Sequence, residues 1–172
     1  MTPSRPDTLA LSRRVLRVLI KMNVIGGALI LALLVASLIW GSWVMKALGA
    51  AHRDAMLLAG MRLIMVMGIC GVPVVHVVLA RLLTIVETVS AGNPFVMENA
   101  ARLKTIAWAI LTLELMHLAV GAIALIVSTA AVPIHIGGSF SLTRWLVVLL
   151  LFVLARVFEQ GARMREDLEG TV

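Results

Sequence analysis

Ser90-Ala91-Gly92-Asn93-Pro94-Phe95-Val96-Met97-Glu98-Asn99-Ala100-Ala101-Arg102-Leu103-Lys104 is the stretch on which the reading of this chain turns. It is the one long polar interruption between apolar segments of membrane-crossing length. Gly92 and Asn93 tolerate left-handed backbone and Pro94 cannot continue a helix, so a preceding helix must stop here. The same residues read as a start, with Asn93 as the cap and Pro94 at the first helical position. The stretch is therefore expected to form the turn of a helix-turn-helix elbow at a membrane surface, the elbow region running over 84–104.

Working outward, the segment before the elbow reads as a span over about 59–83, with Arg62 at its outer rim. Gly68 and Gly71 thin it, and Pro73 removes a backbone donor, which predicts a kink near Ile69 to Pro73. After the elbow, a span over about 105–127 begins with Trp108 near its inner end. Earlier in the chain no charge falls between Lys21 and Lys46. That interval predicts a span over about 22–45, since ~20 apolar residues cross a bilayer. Trp40 and Trp43 mark its far interface, and Ala28, Ala32 and Ala36 form a small-residue stripe suited to close approach by another helix, in the same chain or in a second copy. Over 8–21, Arg13, Arg14, Arg17 and Lys21 alternate with apolar residues, as in an amphipathic helix lying at the inner surface. A last span is expected over about 142–160, followed by a charged tail over 161–172.

Composition agrees with a bilayer. Of 172 residues, 61% are apolar and 14% charged, against about 45–50% and about 25% in soluble domains. The formal charge of +6 is read as Lys and Arg holding span ends inside rather than as a nucleic-acid surface. With the N-terminus inside, eleven Lys and Arg face inward and four outward. The fold class is thus an all-α integral membrane four-helix bundle with both termini cytoplasmic. Cys70 alone excludes an intrachain disulfide and, inside an apolar run, is expected to be a buried thiol.

Ionisable groups inside spans default to paired or functional status. His76, Glu114 and Arg156 lie on three different spans at comparable depth, about 10–13 Å from the inner ends at a rise of ~1.5 Å per residue. His117 shares a helix face with Glu114, and Glu159 lies near Arg156. One reading is a structural Glu114–Arg156 bridge with His76 hydrogen-bonded nearby. A second is a proton-responsive relay in a small oligomeric transporter or channel. A third is a haem held between His76 and His117. No phosphate loop, nucleophile elbow or zinc signature is present, and no enzyme is expected.

Two patterns carry a family resemblance. Around the elbow they are Gly92, Pro94, Phe95, Glu98, Asn99, Ala100, Arg102, Leu103 and Trp108. At the end of the chain they are Val157, Phe158, Gly161, Arg165, Glu166, Leu168, Thr171 and Val172. On these residues the chain resembles the small bacterial inner-membrane family catalogued as domain of unknown function two-nine-seven-five. The resemblance implies a four-helix membrane protein, often encoded beside a small helix-turn-helix regulator, and no established activity.

The distinctive polar residues lie on the inner surface: Gly92, Asn93, Pro94, Phe95, Glu98, Asn99, Arg102, Lys104, Arg165, Glu166 and Asp167. They are expected to form a docking surface for a cytosolic partner. The alternative is that they only cap helices and pair with one another, as Glu98 would with Arg102 four residues on.

Overall fold

A computed structural model of the chain describes residues 5–41, 55–127 and 141–169. Among them the fold is all-α and no strand occurs: α1 (Arg5–Ile39), α2 (Ala55–Ser90), α3 (Met97–Val127) and α4 (Leu142–Glu169). Trp43, most of the first outer connection, the second connection with His135, and the last three residues lie outside the described residues.

α1, α2 and α3 are each long and apolar enough to cross a membrane. With 35, 36 and 31 residues, each exceeds the ~20 residues that a ~30 Å hydrocarbon layer demands. α4 is not among those three. Its 28 residues carry Arg144, Arg156, Glu159 and Arg163 along their length. The exposed faces confirm the apolar character: Leu29, Leu33, Leu125, Leu149 and Leu150 are all open. Water would not tolerate so many large apolar side chains on one small chain, whereas lipid does.

Two local expectations are corrected. The basic stretch 8–21 does not form a helix separate from the first span, because α1 runs unbroken from Arg5 to Ile39. No Gly-Pro or polar turn separates the two parts, and Gly26 and Gly27 are absorbed within the helix. Cys70 is exposed rather than buried. Pro73 lies inside α2 without ending it.

The chain resolves into two compact units. The first comprises Met1–Asn23, Val74–Thr112 and Ser141–Val172, and the second Val24–Pro73 and Leu113–Phe140. In the first unit, α3 buries Asn99, Ala100, Leu103, Ile106 and Ala107, a stripe at three- and four-residue spacing. α4 buries Val148, Ala155 and Ala162, each seven residues after the last. Small residues at this spacing let helices approach closely where lipid supplies no hydrophobic drive.

The second unit is built on glycines. A Cβ on Gly27 of α1 would stand 2.9 Å from Val72 Cγ2 of α2, and one on Gly60 of α2 would overlap Val127 of α3. The α1–α2 contact therefore runs through Gly27 and through Gly68, which faces Ile30, while Ala28 and Ala32 of the small-residue stripe stay exposed. Arg62 of α2 reaches the end of α1: Nε donates to Ser37 Oγ at 3.1 Å and NH2 donates to the Ser37 carbonyl at 2.6 Å. That carbonyl is one of the last four on α1 and has no partner within its helix. A cation there also opposes the negative end of the helix dipole. Ser37 is buried as a result.

Candidate functional site

The elbow belongs wholly to the first unit, and its backbone explains why α2 stops. Asn93 N donates to Thr88 O and Gly92 N donates to Val89 O, both at 3.1 Å. These two bonds, six-to-one and five-to-two, make a Schellman motif with Gly92 as the left-handed residue at φ 84°. Asn93 is therefore the residue after the turn, and not the cap of α3. α3 begins three residues beyond Pro94, at Met97, and the Val96 carbonyl accepts from Asn99 N at 3.0 Å. Glu98 stands in the first turn, where the helix dipole favours an anion.

Asn99 is the knot of the site. It is 0% exposed. Its Nδ2 donates to the Pro94 carbonyl at 2.9 Å, and its Oδ1 accepts from Arg102 NH1 at 2.7 Å. Pro94 O can only accept and Arg102 can only donate, so the amide has one orientation. Thr88 Oγ1 stands 3.0 Å from the same Oδ1 and 2.8 Å from the Ile85 carbonyl, with one proton to share between them. Asn99 thus joins the last turn of α2, the loop and the first turns of α3. Arg102 turns to Asn99 and not to Glu98.

α4 closes over this elbow. Phe95 from the loop packs on Phe158 with ring centroids 5.3 Å apart. Gly161 lies directly beneath Phe95, where an added Cβ would stand 3.1 Å from Cδ1. Arg165 NH1 donates to Asn93 Oδ1 at 3.2 Å. Further along, Trp108 of α3 meets Phe152 of α4 edge to face at 5.3 Å. Contacts at residues 95, 108 and 152, 158 run in opposite chain directions, so α3 and α4 are antiparallel here.

Of the eleven residues expected at the docking surface, Asn99 is fully consumed inside, and Asn93, Pro94, Phe95, Arg102 and Arg165 spend part of themselves on contacts within the elbow or between elbow and tail. Gly92, Glu98, Lys104, Glu166 and Asp167 remain exposed. Thr88 and Phe152 join the site with no sequence pattern to mark them, and Phe158 and Gly161 are marked only by the family resemblance. A glycine in the interior of a helix costs about 1 kcal/mol against alanine, so Gly161 was a readable sign of close approach.

The expected intramembrane cluster falls in both units. In the first, His76 and Arg156 are exposed and Glu159 is half-buried. Arg156 makes no hydrogen bond or ion pair among the described residues, while Glu159 accepts from Arg163 NH2 at 2.6 Å. In the second, Glu114 is 6% exposed. His117, one turn further along α3, is half-buried, and its Nε2 is buried without a hydrogen-bond partner among the described residues.

Residues 43–172 match a family model whose description is a protein of unknown function (DUF2975). The match contains the elbow and all of α2, α3 and α4, and leaves α1 outside. No curated protein and no solved structure matches the chain.

Proposed function

Since this chain belongs to the DUF2975 family, described only as a protein of unknown function, no activity can be inherited, and we propose a non-enzymatic membrane protein that docks a cytosolic partner on its elbow and last helix. In this reading the chain crosses a bacterial inner membrane four times, α4 included, with both termini inside. Support for the fourth crossing comes from the elbow. Its contacts with Phe158, Gly161 and Arg165 hold the end of α4 beside the end of α2. An antiparallel α3 and α4 then return the chain to the side it left. The Lys and Arg distribution supports that side being the cytoplasm.

The single observation behind docking is the Asn99 knot with its α4 cover. A loop held this tightly presents Glu98, Lys104, Glu166 and Asp167 on one rigid frame, and rigid presentation lowers the ordering cost of binding. A small helix-turn-helix regulator is the partner that the family resemblance makes attractive. A photo-crosslinking residue at Glu98 tests this in cells. The expected result is a discrete adduct with a cytosolic protein that is lost on Gly161→Leu, which unseats Phe95. An adduct pattern untouched by Gly161→Leu would remove the role of the frame.

A second reading follows from Glu114 and His117, a buried acid and an imidazole nitrogen without a partner among the described residues, on successive turns of an apolar helix. Such a pair supports proton-coupled transport by an oligomer. Glu114→Gln would abolish proton-dependent flux in vesicles under that reading and leave partner docking unchanged under the first.

A further inference from the structure

Between the first turns of α3 and the middle of α4 lies an open groove of about 440 Å³. Its walls are mostly apolar, with Ala100, Ala155 and Phe152 among them, and three charged side chains stand on it: Lys104, Arg156 and Glu159. The charges do not cancel. Glu159 is engaged by Arg163 at 2.6 Å, whereas Lys104 and Arg156 are exposed and make no hydrogen bond or ion pair among the described residues. Two uncommitted cations above an apolar wall are expensive to hold beside hydrocarbon unless an anion meets them. Trp108, half-exposed and seated on Phe152, marks the level of the groove as the membrane interface, where indoles concentrate.

We propose that this groove is a binding site for an anionic phospholipid of the inner leaflet. The headgroup phosphate is held by Lys104 and Arg156, and an acyl chain lies along Ala155 and Phe152. A lysine supplies a point charge and an arginine a planar fork for the phosphodiester that both lipid classes carry, and two cations favour the headgroup whose phosphate charge no ammonium of its own offsets. A basic pocket between helices on the cytoplasmic side is the arrangement that anionic headgroups select. The groove lies outside the Asn99 knot but shares Lys104 with the proposed docking face, and it rests on the membrane reading of the chain given above.

The test uses the full-length protein in vesicles. Trp40→Phe, Trp43→Phe and Trp145→Phe leave Trp108 as the sole indole, reporting on Phe152 and the groove. Phosphatidylglycerol brominated on its acyl chains is compared with brominated phosphatidylcholine at equal mole fraction. The expected result is quenching of Trp108 roughly twofold stronger or more by the anionic lipid. Lys104→Gln with Arg156→Gln removes that difference, while Arg13→Gln with Arg17→Gln, on the basic stretch of α1, leaves it in place. Equal quenching by the two lipids in the parent protein overturns the site while leaving the membrane reading intact. Loss of the difference in the α1 variant also overturns it, since general surface charge would then be the cause. Absence of quenching by either lipid overturns the site and the membrane reading together.

Discussion

Asn99 is the residue at which the elbow is won or lost. Its amide serves Pro94, Arg102 and Thr88 while wholly buried. Asn99→Ala strands these groups, and at about 1–3 kcal/mol for a buried group left unpaired, the expected loss is about 2–4 kcal/mol. Asn99→Asp keeps the acceptors for Arg102 and Thr88 and sets a carboxylate oxygen against the Pro94 carbonyl, but its charge is met by Arg102, so its loss is smaller than that of Asn99→Ala. Thermal unfolding of the detergent-solubilised protein orders the variants as parent, Asn99→Asp, Asn99→Ala. An Asn99→Ala midpoint equal to the parent's would mean that the knot contributes nothing. The burial of Asn99 was legible in part. Asn99, Leu103 and Ile106 fall on one face at spacings of four and three. The polar neighbours Glu98 and Arg102 argue the other way and favour the surface. What periodicity does not reveal is the partner, since Thr88 lies eleven residues away across a turn.

The apolar parts of α1, α2 and α3 were legible because their length exceeds what a soluble core of this size uses, although α1 takes in the basic stretch before its span. Their ends and contact faces were less so. Alanines at 28, 32 and 36 look like a packing seam, yet Gly27 and Gly68 make the α1–α2 contact. A glycine brings backbones closer than alanine does, and one glycine facing a Val outweighs three alanines in setting which face turns inward. Gly60 tests this in the second unit. Gly60→Ala drives a Cβ into Val127 and should cost about 1–3 kcal/mol, the usual range for overpacking. Adding Val127→Ala should recover most of that loss, a coupling that a double-mutant cycle measures as a non-additive term. Additive losses would show that the two residues do not meet. At the end of α1, Arg62→Ala frees the Ser37 carbonyl and removes a charge-assisted bond, with an expected loss of about 1.5–3 kcal/mol. Hydrogen exchange in the last turn of α1 should rise in that variant, while exchange at the elbow stays at the parent rate.

At the scale of the molecule, apolar length was enough to predict helices able to cross a membrane, while the bias of Lys and Arg carries the proposal that the elbow faces inward. The family was legible for a related reason: its pattern sits where the elbow and α4 need particular residues to fit, as Gly161 fits beneath Phe95. α4 is the element on which composition and contacts pull in different directions. Its internal charges keep it out of the plainly apolar set, and its end is nonetheless tied to the elbow. A helix so tied must come back to the elbow's side, and with α3 leaving from that side, the pair crosses twice or not at all. Two crossings are the proposal. Its direct measurement is labelling of single cysteines placed at Ser90 and at Glu166 in a Cys70→Ala chain, using a membrane-impermeant maleimide on vesicles of known orientation. Both positions should react only in inside-out vesicles, and a third cysteine at Ser139, between α3 and α4 in the sequence, only in right-side-out ones. Reaction of Ser90→Cys from one face and Glu166→Cys from the other would contradict the account outright.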